Sequence, residues 1–140
     1  MLDRDTLDLW YSGELIDTVR YRLNDSVALL DQPHVFAAIV SLEAIVPEPQ
    51  YLIEFSTGSD QIVRQSELAT VIYVALVHEG TTVWRPVAAR PLGSELFRIV
   101  SENPEPNDEQ WEFVSGSTVR CERRDFGGHS ELVATSAAAV

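Results

Sequence analysis

Hydrophobic and polar residues alternate over short stretches of this chain, and turn residues interrupt the alternation repeatedly. Within residues 51–64, Tyr51, Ile53 and Phe55 fall on one side of an extended chain, residues 57–60 supply a polar turn, and a second apolar stretch follows. A period of two residues is typical of a β-strand, and two such strands around a short turn predict a β-hairpin. This hairpin is the most clearly predicted element.

Further strands are predicted along most of the chain. The stretch 35–46 is rich in Val, Ile and Ala and predicts a central strand buried on both faces, which Pro47 and Pro49 end because proline cannot donate to a strand ladder. Pro86 predicts an edge position or a bulge in the strand 82–90. The other predicted strands are 19–23, 27–30, 71–77, 96–100, 118–124 and 131–135, of which the last two form a closing hairpin.

The first residues allow two interpretations. Leu7, Leu9 and Tyr11 fall at every second position, which predicts an opening strand or an extended arm over residues 6–15, with a helix as the alternative. At the other end, residues 136–140 are predicted to fray. No long segment has the 3.6-residue period of an amphipathic helix, so the chain is predicted to be all-β with little helix.

Length and composition are sufficient for a folded core. The chain has 140 residues, of which 45% are hydrophobic, enough for one domain or for two very small ones packed together. The two halves are loosely similar, with a boundary near residues 69 and 70. We therefore predict two small β-barrels packed in tandem: residues 1–69, which include the extended N-terminal arm, and residues 70–140.

The net charge is strongly negative. The 22 acidic residues stand against 10 basic ones, all arginine, and the formal net charge is −12. Such a surface repels nucleic-acid phosphates, so DNA and RNA are not predicted partners. The charge fits either simple solubility or a basic protein partner, whose approach an acidic surface accelerates.

The single cysteine and the absence of targeting signals suggest a compartment. Cys121 excludes an internal disulfide and a thiolate metal cluster within one chain, which fits a reducing cytoplasm. The acidic start of the chain lacks the charge pattern of a secretory signal, and no apolar stretch approaches the length of a membrane span. We expect a cytoplasmic protein without membrane contact.

Residues able to catalyse reactions or bind metals are present, but not in known motifs. Cys121 lies in a predicted strand, which favours a small buried core residue over a reactive thiol. His34, His78 and His129 lie at separate predicted turns, without the paired spacing of a zinc site. No catalytic residue, cofactor or metal is predicted. A small hydrolase that uses loop carboxylates and His129 is the enzymatic alternative.

Parts of the chain resemble known families. The strands 27–30 and 35–42, the segment 51–55, Gly58 and the closing residues 66–68 resemble SH3-like barrels of the Tudor and KOW kind, which implies tandem SH3-like barrels. No cluster of aromatic residues that would cage a methyl-lysine is evident within one barrel. The size, acidity and strand pattern also resemble bacterial immunity proteins against polymorphic toxins. That resemblance implies a non-catalytic protein that occludes a basic toxin domain.

Candidate contact residues lie in three places. Carboxylates crowd the predicted loop 101–110 and the residues after it, and they are candidates for a basic partner or for a cation such as calcium, although the EF-hand spacing is absent. An adaptor that docks through an exposed strand edge near Pro86 is the alternative. The predicted partner-binding residues are Glu102, Glu105, Asp108, Glu109 and Glu112 in the loop, Glu43, Glu48 and Glu54 in the first half, and Trp84 and Arg85.

Overall fold

The computed structural model describes residues 2–14, 16 and 18–138. Within these ranges the chain is all-β, with one short helix, so the predicted fold class is confirmed. The chain divides into two compact units, Met1–Leu68 and Ala69–Val140, next to the predicted boundary. The elements are helix α1 (Arg4–Tyr11) and strands β1 (Ser26–Leu29), β2 (Gln32–Ala44), β3 (Gln50–Phe55), β4 (Asp60–Arg64), β5 (Leu68–Ala75), β6 (Trp84–Gly93), β7 (Leu96–Ile99), β8 (Thr118–Phe126) and β9 (His129–Ala137).

The first unit contains antiparallel strands in the order β4-β3-β2-β1. The predicted hairpin is confirmed, because β3 pairs with β4 from Gln50↔Arg64 to Glu54↔Asp60. Gly58 in its turn has φ +91°, a left-handed conformation that glycine adopts without a steric penalty. Alternate residues of these strands face the core of the unit, as the two-residue period predicts.

Strand β2 differs from its prediction as a strand buried on both faces. Ala37, Ile39 and Leu42 are buried, while the residues between them are partly exposed, and Val46 beyond the strand is 79% exposed. The register shifts between Ile39 and Ser41 and again between Leu42 and Ala44. The strand therefore covers the core with one face, and its Val and Ile content reflects β-propensity rather than two-sided burial.

The N-terminal segment is a helix, which corrects the predicted strand or extended arm. The Asp3 side chain accepts a hydrogen bond from the Thr6 backbone N–H at 2.7 Å and caps the first turn. Leu7 and Trp10, three residues apart, lie on one helix face and pack on the core of the first unit. The indole N–H of Trp10 donates to the carbonyl oxygen of Tyr21 at 2.9 Å.

Gln65 holds an irregular segment onto this core. Residues 19–23, predicted as a strand, form no regular structure. The Gln65 side chain accepts hydrogen bonds from the Arg20 N–H at 2.9 Å and the Tyr51 hydroxyl at 2.5 Å, and donates to the Thr18 carbonyl at 3.0 Å. Burial raises the pKa of Tyr51 to about 12, so its hydroxyl remains a donor at all moderate pH values.

The second unit is a closed five-stranded barrel. Strands β5 to β9 pair antiparallel in sequence order, and a parallel contact between Tyr73 on β5 and Val133 on β9 closes the barrel. The closing hairpin is confirmed, with Gly127 and Gly128 between β8 and β9 at φ +63° and +98°. The buried side chains inside are those of Ile72, Val74, Leu76, Val87, Ala89, Ile99, Trp111, Val119, Cys121 and Ala134. The predicted tandem of two barrels stays a prediction, because closure is seen here for the second unit.

Pro86 lies in a part of β6 that pairs with one neighbouring strand, β5. It stands opposite Tyr73 on β5, whereas the pairing of β6 with β7 begins at Ala89. The missing N–H of proline therefore interrupts no β6–β7 ladder bond, in agreement with the predicted edge position.

Replacing Trp10 with Phe should destabilise the protein by about 1–3 kcal/mol, because the buried carbonyl of Tyr21 loses the indole donor. Chemical denaturation monitored by circular dichroism measures this loss. The matched control is Tyr11→Phe, since Tyr11 is adjacent in sequence and 50% exposed. It should change the free energy of unfolding by less than about 0.5 kcal/mol. Equal effects of the two substitutions would contradict the role assigned to Trp10.

Candidate functional site

The acidic loop between β7 and β8 is anchored at both ends. At its start, the buried Ser101 hydroxyl accepts a hydrogen bond from the Ala88 N–H at 2.8 Å. At its end, the buried Trp111 forms a bridge with Leu76, and the Val77 N–H donates to the Gln110 carbonyl at 2.8 Å. The predicted loop is therefore confirmed as irregular structure, but both of its ends are fixed to the barrel.

An ion pair holds the middle of the loop. Arg85 and Glu109 form a bidentate contact, in which Arg85 Nε donates to Glu109 Oε1 at 3.0 Å and Nη2 donates to Oε2. Trp111 Nε1 adds a longer hydrogen bond to Oε1 at 3.4 Å. The hydrogen bonds from Arg85 lower the pKa of Glu109, so its carboxylate stays ionised well into the acidic range.

The position of Arg85 explains why this ion pair lies at the end of the barrel. Arg85 shares one face of β6 with Val87 and Ala89, which are buried inside the barrel. It precedes them at the start of the strand, where the barrel ends and a long polar side chain reaches the loop. Arg85 and Glu109, both predicted as contact residues for a partner, bind each other in this structure.

Asn103 fixes the shape of the loop itself. Its amide nitrogen donates to the Glu109 carbonyl at 2.8 Å, and its amide oxygen accepts from the Glu105 N–H at 2.9 Å. The Glu105 carbonyl in turn accepts from the N–H groups of Asp108 and Glu109 at 3.0 and 2.8 Å. These bonds form a compact turn within the loop, so its carboxylates have defined positions.

The remaining loop carboxylates face solvent. Glu102, Glu105, Asp108 and Glu112 are exposed, and none takes part in the ion pairs found among the described residues. The five predicted acidic residues thus divide into one that anchors the loop and four that are available for a partner.

The three acidic residues predicted in the first unit have different environments. Glu48 accepts hydrogen bonds from the Ser66 N–H and hydroxyl at 3.0 and 2.8 Å, which lower its pKa and engage it locally. Glu43 on β2 is exposed and accepts a hydrogen bond from the Ser41 hydroxyl at 2.5 Å. Glu54 on β3 is exposed and lies opposite Asp60.

Trp84 belongs to an aromatic cluster on the outside of the barrel in the second unit. Its ring lies 5.8 Å from that of Phe126, which lies 5.7 Å from Tyr73, and the Arg124 guanidinium carbon is 5.8 Å from the centre of the Trp84 ring. An open groove of about 560 Å³ runs beside Trp84 and Arg124 and includes Glu112 in its lining.

The predicted nucleophile and metal-ligand candidates do not form a site. Cys121 is buried, and desolvation raises its pKa to about 12, so it is a neutral thiol inside the barrel. His34 lies within β2 and His129 begins β9, which corrects their placement at turns, while His78 lies in a turn as predicted. The part of the chain with assigned positions holds no group of three or more potential metal ligands.

Comparisons with known proteins find no match to this chain among protein-family models, curated proteins or solved structures. The structure itself shows a small all-β fold whose closed five-stranded barrel is compatible with SH3-like barrels. Among the residues with a described position, no helix combines the length and apolarity needed to cross a membrane.

Sequence reasoning identified the loop but missed three structural relationships. It did not assign the pairing of Arg85 with Glu109, the cluster formed by Tyr73, Trp84 and Phe126, or the burial of Trp10 against the first core. The first two join side chains on different strands and loops, so no short motif encodes them. The spacing of Leu7 and Trp10 is the local signal that would have indicated the helix.

Replacing Glu109 with Gln should lower stability by about 0.5–1 kcal/mol near neutral pH, because the charge paired with Arg85 is lost. A carboxylate whose pKa is lowered in the folded state contributes stability above its unfolded pKa and loses it as the pH falls through the folded pKa. The difference between wild type and E109Q should therefore disappear at acidic pH. Urea denaturation across a pH series measures it.

The matched control is Glu102→Gln, which neutralises an exposed carboxylate of the same loop that has no described ion pair. Its effect should be small at every pH. A stability loss in E109Q that persists unchanged at acidic pH would show that the charge of Glu109 is not its cause.

Proposed function

We propose that this protein is a non-catalytic binding module that covers a basic partner protein, most specifically an immunity protein that occludes a toxin domain. The observation that supports this proposal is the acidic loop 101–112, which the Arg85–Glu109 pair holds in one shape while its other carboxylates face solvent.

Charge favours a basic partner. Four exposed carboxylates within eleven residues add a strong local potential to a chain of net charge −12. Such a surface steers a basic protein toward the loop and raises the association rate, most of all at low salt. It also disfavours acidic competitors, because like charges brought together cost free energy.

Rigidity favours tight binding. A loop that must become ordered on binding loses conformational entropy, and this loss weakens the complex. Here the Ser101 and Trp111 anchors, the Asn103 hydrogen bonds and the Arg85–Glu109 pair order the loop before any partner arrives. Pro104 and Pro106 further restrict the unbound loop.

Occlusion is the mechanism that follows from such a surface. A toxin domain that acts on nucleic acid or another anionic substrate holds it with Arg and Lys side chains. Carboxylates at fixed positions on a rigid barrel are complementary to those cations and would cover them. The size, acidity and strand pattern that resemble immunity proteins support this choice of partner.

One observation favours a second function, that of an adaptor which docks through a strand edge. Strand β4 lies at the edge of the first unit's sheet, and its Ile62 is 57% exposed. Such an edge offers unpaired backbone groups to an extended segment of another protein. Binding of that kind depends weakly on salt, which separates it from the electrostatic proposal.

The charge-reversed variant Glu102→Lys, Glu105→Lys, Asp108→Lys tests the proposal. Tagged wild-type protein first captures its partner from the source cell, and the purified partner is then used to measure association rates over a salt series. We expect the variant to associate at least about tenfold more slowly than wild type at low salt, with a shallower salt dependence.

The matched control is Asp8→Lys, Glu14→Lys, Asp31→Lys, which changes the net charge equally at exposed positions of the first unit. It should retain most of the wild-type association rate. An equal loss of association rate in both variants would show that the effect depends on net charge and not on the position of the charges in the loop. A partner that is acidic, or an association rate that ignores salt, would rule out the electrostatic proposal and favour the strand-edge adaptor.

A further inference from the structure

The outside of the barrel in the second unit carries three arginines that the proposed function does not use. Arg90 on β6 lies directly opposite Arg98 on β7, and Arg98 lies opposite Thr118 on β8. Arg120, two residues after Thr118, shares their face because side chains alternate along a strand. All three arginines are exposed. The arginine row is the set formed by Arg90, Arg98 and Arg120.

The strand pairing brings the arginine row within reach of one small ligand. Residues directly opposite in an antiparallel ladder have Cβ atoms about 5 Å apart, and diagonal neighbours are about 7–8 Å apart. Arg90 and Arg98 form a direct pair, while Arg98 and Arg120 form a diagonal pair. Arginine side chains are longer than these separations, so three guanidinium groups are able to converge on a single anion.

Within the described residues, no carboxylate forms an ion pair with the arginine row. The ion pairs found in the described ranges are Arg64–Glu67, Arg85–Glu109 and Arg124–Glu122, and none of them involves the row. The contact recorded for Arg120 is a long one, in which Nη1 donates to the Ser94 carbonyl at 3.5 Å. Glu95 and Glu122 adjoin the row along the chain, but neither forms an ion pair with it.

This arrangement costs stability unless an anion offsets it. Like charges directly opposite each other destabilise a sheet, and the Arg90–Arg98 pair is such a case. A chain with 22 acidic residues nevertheless places three of its ten arginines on one face without an acidic partner among the described residues. A purely structural role does not explain why these three arginines share one face without acidic partners.

We propose that the arginine row binds a phosphate group, either free phosphate or a phosphate monoester. Guanidinium groups match phosphate oxygens with paired, charge-assisted hydrogen bonds. The net charge of −12 repels a long nucleic acid. A single phosphate responds mainly to the nearby arginines, because charges more than about 8 Å away are screened at physiological salt. This inference goes beyond the proposed function, since it uses a different surface of opposite charge.

Titration of ¹⁵N-labelled full-length protein with inorganic phosphate tests the inference. We expect saturable shifts of the arginine Nε–Hε signals of Arg90, Arg98 and Arg120, with chloride at equal ionic strength producing none. Arg98→Gln should weaken phosphate binding by about tenfold, and Arg98→Lys should weaken it less, because lysine keeps the charge but loses the paired donors. The matched control Arg123→Gln removes the same charge from an exposed arginine of this unit outside the row.

A stability measurement guards against a variant that merely misfolds. Arg98→Gln should raise the urea midpoint in low-salt chloride buffer, because the repulsion between Arg90 and Arg98 is relieved. The gain should vanish in phosphate buffer, where wild type is stabilised by binding. A structural role for Arg98 predicts a lower midpoint in both buffers.

Two further ligands distinguish the sources of the phosphate. A phosphoserine peptide and its unphosphorylated counterpart show whether a phosphorylated protein is a ligand, and a short oligonucleotide shows whether nucleic acid is. Saturable binding of phosphate or of the phosphoserine peptide at the row supports the inference. Shifts that grow linearly without saturation, equal weakening by Arg98→Gln and Arg123→Gln, or binding of the oligonucleotide alone would overturn it.

Discussion

The contact between Tyr73 and Val133 closes the barrel of the second unit and determines where the other features of that unit lie. Closure divides each strand into inward and outward residues, because side chains alternate along every strand of a barrel. The inward positions of the core are filled by apolar side chains, and Arg85, on the same face of β6, meets the loop at the start of that strand. The arginine row and the aromatic cluster around Trp84 lie on the outer face that the same closure defines.

The local parts of this structure were predictable from sequence, because alternation and turn residues act between near neighbours. Both hairpins and the loop 101–110 follow from such patterns. The helix α1 was the alternative and not the preferred interpretation, because its apolar residues Leu7, Leu9 and Tyr11 satisfy a period of two. Leu7 and Trp10, on the helical period, are the ones that pack on the core. Two-sided burial of β2 was wrong because Val and Ile also favour strands whose second face is exposed.

The site was less predictable, since its decisive contacts join residues that are distant in sequence. Arg85 and Glu109 are separated by 24 positions, and their pairing depends on β6 presenting Arg85 at the barrel end. From the sequence alone, both were predicted as partner-binding residues. The row of Arg90, Arg98 and Arg120 likewise requires the register of three strands, which no periodic pattern specifies at the level of single residues.

The Arg85–Glu109 pair also bears on how four exposed carboxylates coexist in one short loop. Their mutual repulsion favours an expanded loop in which the charges separate. Arg85 places a positive charge against the loop, and the bonds of Asn103 and the Trp111 bridge hold the backbone against that expansion. The free energy of folding thus offsets the repulsion among the loop carboxylates before a partner binds. A cationic partner would then gain the full attraction of the carboxylates without first reorganising them, which is the physical basis for the proposal that this loop binds a basic protein.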